Sequence, residues 1–377
     1  MHITVLCKVV DNYGDIGVCW RMCRRLKKIA PQNTISLVVD NFDTFEKIEP
    51  RVKRQNVIAR SEATWQSIQI EGIDIYNWHD DNNCHKIFSA NDGERLSIIL
   101  ECFQCGRPDW MEKNLFEEKL KRTVQIIMID YLTAEKYAED FHCLKSLTRS
   151  AKVQKVNFMP GFTSKTGGLI IDDEWSQLPE WNEKGPVLVF TYTMGTGLIK
   201  DSRSLNDGAG SLRLSKGPLL KPLPYMNQPE WDKMMKQCSA LIIRGEESMS
   251  RACLSGIPFI WQAYPQSEEY QLVKVKALLE RMRGHFDEEA FEIVEKAWMS
   301  INSMSLSGLT RQSHHERDSR VKHGNDSVLA SWNDSVASFL NTLPSLRPGF
   351  VSFAQSLRKN GDLCTNLMTF INKIAII

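Results

Sequence analysis

Five short apolar runs, rich in β-branched residues, recur in the first third of the chain: "ITVLCKVV" (3–10), "TISLVVD" (34–40), "GIDIYNW" (72–78), "LSIILEC" (96–102) and "VQIIMIDYL" (124–132). Runs this short and this apolar suit strands buried on both faces, and a strand buried on both faces belongs in a parallel sheet covered by helices. Helical patterns over 17–29 and 109–120 lie between them. The alternation predicts a doubly wound α/β domain.

The same grammar returns later. "PVLVFTY" (186–192), "LRLSKG" (212–217), "ALIIRGEES" (240–248) and "PFIWQAYPQ" (258–266) read as strands running into loops or turns. "QPEWDKMMKQCS" (228–239) sets Trp231, Met234, Met235 and Cys238 on one helical face, and the chain from about 268 onward reads as mainly helical. "MPGFTSKTGGLI" (159–170), dense in Pro and Gly, is read as the crossing between domains. The expectation is an N-terminal Rossmann-like domain over 1–158 and a second over 159–377 that carries the helical tail. Two such domains facing a central cleft make a GT-B-like layout. Segments 56–69 and 300–327 fit neither pattern and read as loop insertions; adjacent His314 and His315 in the second suit a solvated loop better than a metal.

A chain of 377 residues is long enough for two such cores. Basic residues number 47 and acidic residues 46, a net charge of +1, which argues against bulk binding to DNA or to an anionic membrane. No apolar run approaches the roughly 18–20 residues that span a bilayer, and the N-terminus has too short an apolar stretch for a signal peptide. Cytoplasmic localisation is the expectation. Cys7, Cys19, Cys23 and Cys253 sit within apolar patterns and read as small core residues. Cys102 and Cys105 form a lone CxxC; without a second pair it lacks the four ligands of a zinc site, and no metal is expected.

Two constellations stand out chemically. The turn Asp11-Asn12-Tyr13-Gly14-Asp15-Ile16-Gly17 joins the first strand to a helix starting near Gly17. Its glycines allow close backbone approach to a ligand, yet its two acids would repel a phosphate. One Asp could simply cap the helix, though two exceed what a cap requires. Neither G-x-G-x-x-G nor G-x-x-x-x-G-K-[ST] is present, which weakens a nicotinamide-dependent reading. The second constellation is "IIRGEESMSRACLSGIPFIWQAYPQ" (242–266). Glu246 and Glu247 either complement the helix dipole or accept ribose hydroxyls, while Ser248 and backbone N–H groups suit a diphosphate. Trp261 and Tyr264 either close over a base or belong to the core. Lys165, in "GFTSKTGGL", offers a phosphate contact, a hinge or a plain linker.

Taken together, "DNYGDIGVCWR", "DYLTAE", "PGFTSKTGG", "RGEESMSRA" and "PFIWQAYPQ" resemble the protein-arginine rhamnosyltransferases that modify elongation factor P, in family order over about residues 1–270. The resemblance implies an inverting GT-B enzyme that needs no metal or cofactor. It would move L-rhamnose from dTDP-β-L-rhamnose to an arginine of elongation factor P. It implies catalytic roles for Asp11 and Asp15 toward the acceptor arginine. It also implies a donor glutamate at Glu246, flanked by Arg244, Ser248 and Gln266, and an aromatic pair near the nucleotide at Phe190 and Tyr192. The full expected donor-binding set adds Asn12, Tyr13, Gly14, Gly17, Gly245, Glu247, Gln262 and Tyr264. Glu247 stands where the family usually has aspartate, and Asp130 where glutamate is common. The alternatives are a GT-B enzyme with another nucleotide sugar or acceptor, and a non-catalytic binder of elongation factor P. On the family reading the two acids face a guanidinium, whose planar fork pairs with carboxylates.

Overall fold

The computed structural model describes residues 1–10, 12–53, 68–80, 87, 97–117, 120, 123–192, 196–199, 220–224, 226–303 and 334–375. The chain forms two compact units, Met1–Glu174 with Arg358–Ile377, and Trp175–Leu357.

The first unit runs β1 (His2–Cys7), α1 (Asn12–Ile29), β2 (Thr34–Val39), α2 (Phe42–Ile48), β3 (Ile68–Ile70), β4 (Ile73–Asn77), β5 (Ser97–Cys102), α3 (Asp109–Phe116), β6 (Val124–Ile129), α4 (Tyr137–Phe141), β7 (Lys145–Ser146) and β8 (Val153–Asn157). Its sheet has the order β3-β4-β2-β1-β5-β6-β8-β7. β2, β4, β1, β5, β6 and β8 pair in parallel, with β3 and β7 antiparallel at the two edges. Every residue of β1 is buried, as the apolar runs predict for a central parallel strand. From β1 the chain winds outward to β2 and later returns to β5 on the other side. The switch point therefore lies at the carboxyl ends of β1 and β5, where open α/β sheets place their ligands.

The second unit runs β9 (Val187–Phe190), β10 (Thr196–Ile199), β11 (Leu220–Pro222), α5 (Gln228–Lys236), β12 (Ala240–Arg244), α6 (Glu246–Ser255), β13 (Phe259–Gln262), α7 (Tyr270–Arg283), α8 (Glu288–Asn302) and α9 (Leu343–Lys359). Its sheet order is β11-β10-β9-β12-β13, with β9, β12 and β13 parallel. β10 and β11 extend it in antiparallel fashion. Met234, Met235 and Cys238 of the expected α5 face are buried. Both units are thus α/β with parallel-rich sheets, the make-up of the GT-B class. The expected strand at 212–217 lies outside the described residues, as do 56–67 and 304–327 of the two irregular segments. Residues 68–69 of the first belong to β3, and 300–302 of the second to α8.

The units divide elsewhere than at 158/159. Residues 159–174 pack with the first unit, and so does α10 (Leu363–Ala375), the end of the expected helical tail. Leu363, Cys364, Leu367, Met368 and Ile371 of α10 enter the same core as Ile16, Cys19, Trp20 and Cys23 of α1. Asp362 fixes the arrangement. It caps α10 through Thr365 N (3.0 Å) and accepts Ile171 N (2.8 Å) and Arg25 Nε (3.1 Å). Leu363 N donates to Leu169 O at 2.8 Å, and Asn366 Nδ2 to Gly167 O at 3.0 Å. The Pro/Gly-rich stretch is therefore a docked strap of the first unit and not a linker.

At the start of α6, Gly245 has φ 77° and ψ 151°, a region open essentially to glycine alone. A Cβ there would meet nothing within 4 Å, so the backbone angle alone demands glycine. Gly245→Ala should destabilise the second unit by about 1–3 kcal/mol through strain, read as a drop in thermal midpoint. Asp362→Ala strands Ile171 N and removes the Arg25 Nε partner, leaving that guanidinium its contact with Asp173. It should lower stability in urea by about 2–4 kcal/mol, whereas a loss below ~0.5 kcal/mol would contradict the docked strap.

Candidate functional site

In the first unit the functional features gather at the carboxyl ends of β1, β5 and β6. Helix α1 begins at Asn12, earlier than the expected start near Gly17, so Gly14, Asp15 and Gly17 all lie within its first turns. Asp15 is 2% exposed. Its Oδ2 accepts Val10 N at 2.9 Å, and its Oδ1 accepts the Tyr131 hydroxyl at 3.2 Å. The first of these bonds is a back-bond from the opening of the helix to the turn before it, akin to the reciprocal arm of a capping box. Asp40, following β2, accepts Val9 N at 2.8 Å, so two carboxylates staple the turn. Tyr131 follows β6 and stacks on Phe103, which follows β5, with ring centroids 4.6 Å apart. Tyr13 is exposed, and Lys47 Nζ lies 5.8 Å from its ring. Asp11 lies outside the described residues.

In the second unit three neighbouring parallel strands each end in an expected donor residue: Phe190 in β9, Arg244 in β12 and Gln262 in β13. Strand register places Arg244 beside Gln262 and Ile243 beside Phe190. The Arg244 guanidinium carbon lies 4.6 Å from the Phe190 ring centroid and 4.5 Å from that of Tyr192. Arg244 Nη1 also donates to Thr191 O at 3.2 Å. Gln262, 3% exposed, accepts Tyr192 N through Oε1 at 2.7 Å. Tyr264 meets Tyr192 edge-on at 5.4 Å and is itself exposed. Five residues expected from separate stretches of sequence thus form one cluster: a cation held by π-faces, with a buried amide fixing the loop behind it.

Helix α6 opens directly beside this cluster at Gly245, which has no side chain to cap it. Glu246 pairs with Lys274 at 3.8 Å. Glu247 accepts Gln228 Nε2 at 3.4 Å and lies 3.8 Å from the buried Arg251. Ser248 is buried in the first turn. Gln266 receives its backbone restraint from Gln271 Oε1, at 3.1 Å from its N. Its own Oε1 is buried without a hydrogen bond among the described residues. Trp261 is a core residue, 4% exposed, which leaves Tyr264 alone of that pair in contact with solvent. Lys165 is exposed and lies 3.7 Å from Glu139.

Sequence reasoning missed several members of the site. Tyr131 lay in the quoted "DYLTAE", and Phe103 was hidden in a "CFQC" read only for its cysteines. Trp231, assigned to a helix face, meets Phe190 edge-on at 5.0 Å. The cysteines take structural places. Cys7, Cys19, Cys23 and Cys253 are buried, and burial pushes the Cys105 thiol up while its Sγ donates to Leu6 O at 3.6 Å. Among the described residues no three His, Cys, Asp or Glu side chains converge as a metal site, and no helix is long and apolar enough to cross a membrane.

The sequence profile of the family described as "Elongation-Factor P (EF-P) rhamnosyltransferase EarP" matches residues 3–202 and 203–372. The protein-arginine rhamnosyltransferase of Shewanella oneidensis is 27% identical over 356 residues, covering 80% of this chain and 85% of its own. That of Pseudomonas aeruginosa is 27% identical over 348 residues, covering 79% and 86%. A solved structure described as "Structural basis for EarP-mediated arginine glycosylation of translation elongation factor EF-P" aligns over 99% of both chains, at 14% identity and a TM-score of 0.39. With the profile matched from residue 3 to residue 372, the chain belongs to the EarP family of elongation factor P rhamnosyltransferases.

Proposed function

We propose that this chain transfers L-rhamnose from dTDP-β-L-rhamnose to one arginine of elongation factor P, inverting the anomeric centre and using no metal ion. The observation that carries the donor half is the cluster of Phe190, Tyr192, Arg244, Gln262 and Tyr264 beside the uncapped start of α6. Aromatic faces suit a thymine, while an arginine and a helix N-terminus suit a diphosphate. Glu246, in the first turn, is the carboxylate for the sugar hydroxyls. As the C1–O bond to dTDP breaks, charge grows on the leaving diphosphate, and Arg244 with the N–H groups of α6 stabilises it.

Asp15 supports the acceptor half. Arginine keeps its proton, with a pKa above about 12, so a carboxylate does not strip it in the ground state. Asp15, with Asp11, holds the guanidinium and draws its positive charge toward the nitrogens it faces. That leaves a lone pair on another nitrogen for in-line attack on C1, through an oxocarbenium-like state. Forming the C–N bond raises the acidity of that nitrogen, and its proton passes to Asp15. The free thiols among the described residues suit a reducing compartment, which supports a cytoplasmic setting.

The test is intact mass of the same organism's elongation factor P after incubation with this protein and dTDP-β-L-rhamnose. The proposal expects a gain of one deoxyhexose on a single arginine, falling at least about 100-fold in rate with Asp15→Asn. No gain, with dTDP still bound, would contradict the acceptor assignment. Gain from a different nucleotide sugar in preference to dTDP-rhamnose would contradict the donor assignment.

A further inference from the structure

We propose that Tyr131 is a positioning residue for this reaction: its hydroxyl, donated to Oδ1 of Asp15, sets the orientation in which that carboxylate meets the acceptor guanidinium. The inference rests on the reading of Asp15 as the acid that acts on the acceptor.

The carboxyl torsion of an aspartate is soft, so a single donor leaves its plane free to swing. Asp15 has donors on both oxygens, and they come from different elements. Val10 N, in the turn after β1, reaches Oδ2 at 2.9 Å; the Tyr131 hydroxyl, after β6, reaches Oδ1 at 3.2 Å. Donors on both oxygens fix the plane in which the carboxylate would meet a guanidinium fork.

Tyr131 is itself held from several sides. Its ring stacks on Phe103 at 4.6 Å with an interplanar angle of 20°. Its N–H donates to its neighbour Asp130 Oδ1 at 2.8 Å, and Asp130 Oδ2 accepts Gln104 Nε2 at 3.1 Å. Phe103 N donates in turn to Ile129 O at 2.7 Å. Phe103 and Gln104 adopt φ of 56° and 54°, left-handed angles that non-glycine residues seldom take. Two consecutive residues in that region turn one ring toward Tyr131 and one amide toward Asp130. For packing alone, phenylalanine would serve at 131 as well as tyrosine; the hydroxyl is the part directed at Asp15. Charge transfer at a reacting nitrogen is sensitive to misplacement on the ångström scale, which is where such a brace acts.

Tyr131→Phe keeps the stack and removes only the donor. Its kcat for rhamnosylation of elongation factor P should fall about ten- to hundredfold, with KM for both substrates within about twofold of the wild type. Unchanged dTDP affinity and melting temperature show that the variant is folded. In an Asp15→Asn background the same change should leave the residual rate unaltered, because the two residues act as one unit. A kcat within about twofold of the wild type overturns the proposal and leaves the reading of Asp15 standing. So does a raised acceptor KM at constant kcat, or a loss that multiplies with that of Asp15→Asn. Wild-type turnover in Asp15→Asn alone overturns both.

Discussion

Parallel strand pairing sends every carboxyl end to the same edge of a sheet, and the candidate cluster of each unit depends on that constraint. In the second unit the ladder pairs Arg244 with Gln262 and Ile243 with Phe190, so three side chains from distant stretches arrive at one level without any long loop to position them. In the first unit β1, β5 and β6 end together, and the residues just past those ends tie Val10, Asp15, Phe103 and Tyr131 into one arrangement. Sites built on strand ends inherit the rigidity of the ladder, which chemistry that needs fixed geometry requires.

On the proposed function the two units solve opposite electrostatic problems. A diphosphate donor would meet a guanidinium held between aromatic faces and a helix that starts at a glycine. An acceptor guanidinium would meet a carboxylate. The acids of the opening turn would be out of place in a phosphate cradle and in place for an arginine. Asp15 also staples its own turn by accepting Val10 N, a structural task compatible with the proposed one.

Much of this was legible in the sequence because the signals were local. Short β-branched runs marked β1, β2, β4, β5, β6, β9, β12 and β13, and the motif "RGEES" with its following "FIWQAY" marked residues that cluster at the strand ends of the second unit. The misses are non-local. Nothing within "MPGFTSKTGGLI" reveals that Asp362 and Asn366, some two hundred residues later, hold its backbone, so Pro and Gly were read as a linker. β8, "VQKVN", hides behind the polar residues between Val153 and Val156. Glycines at 14 and 17 suggested a loop, yet the helix already runs from Asn12. Tyr131 escaped because a tyrosine after a buried strand has no distinguishing local pattern; only the fold brings it to Asp15.

The proposed function divides the labour: the strand ends of the second unit hold the donor, and Asp15 serves the acceptor alone. Calorimetric titration of dTDP into wild-type, Asp15→Asn and Arg244→Ala protein tests it most directly. On that division Asp15→Asn binds dTDP within about twofold of the wild type, while Arg244→Ala loses at least about tenfold in affinity. Loss of dTDP binding in Asp15→Asn, or wild-type affinity in Arg244→Ala, would contradict it.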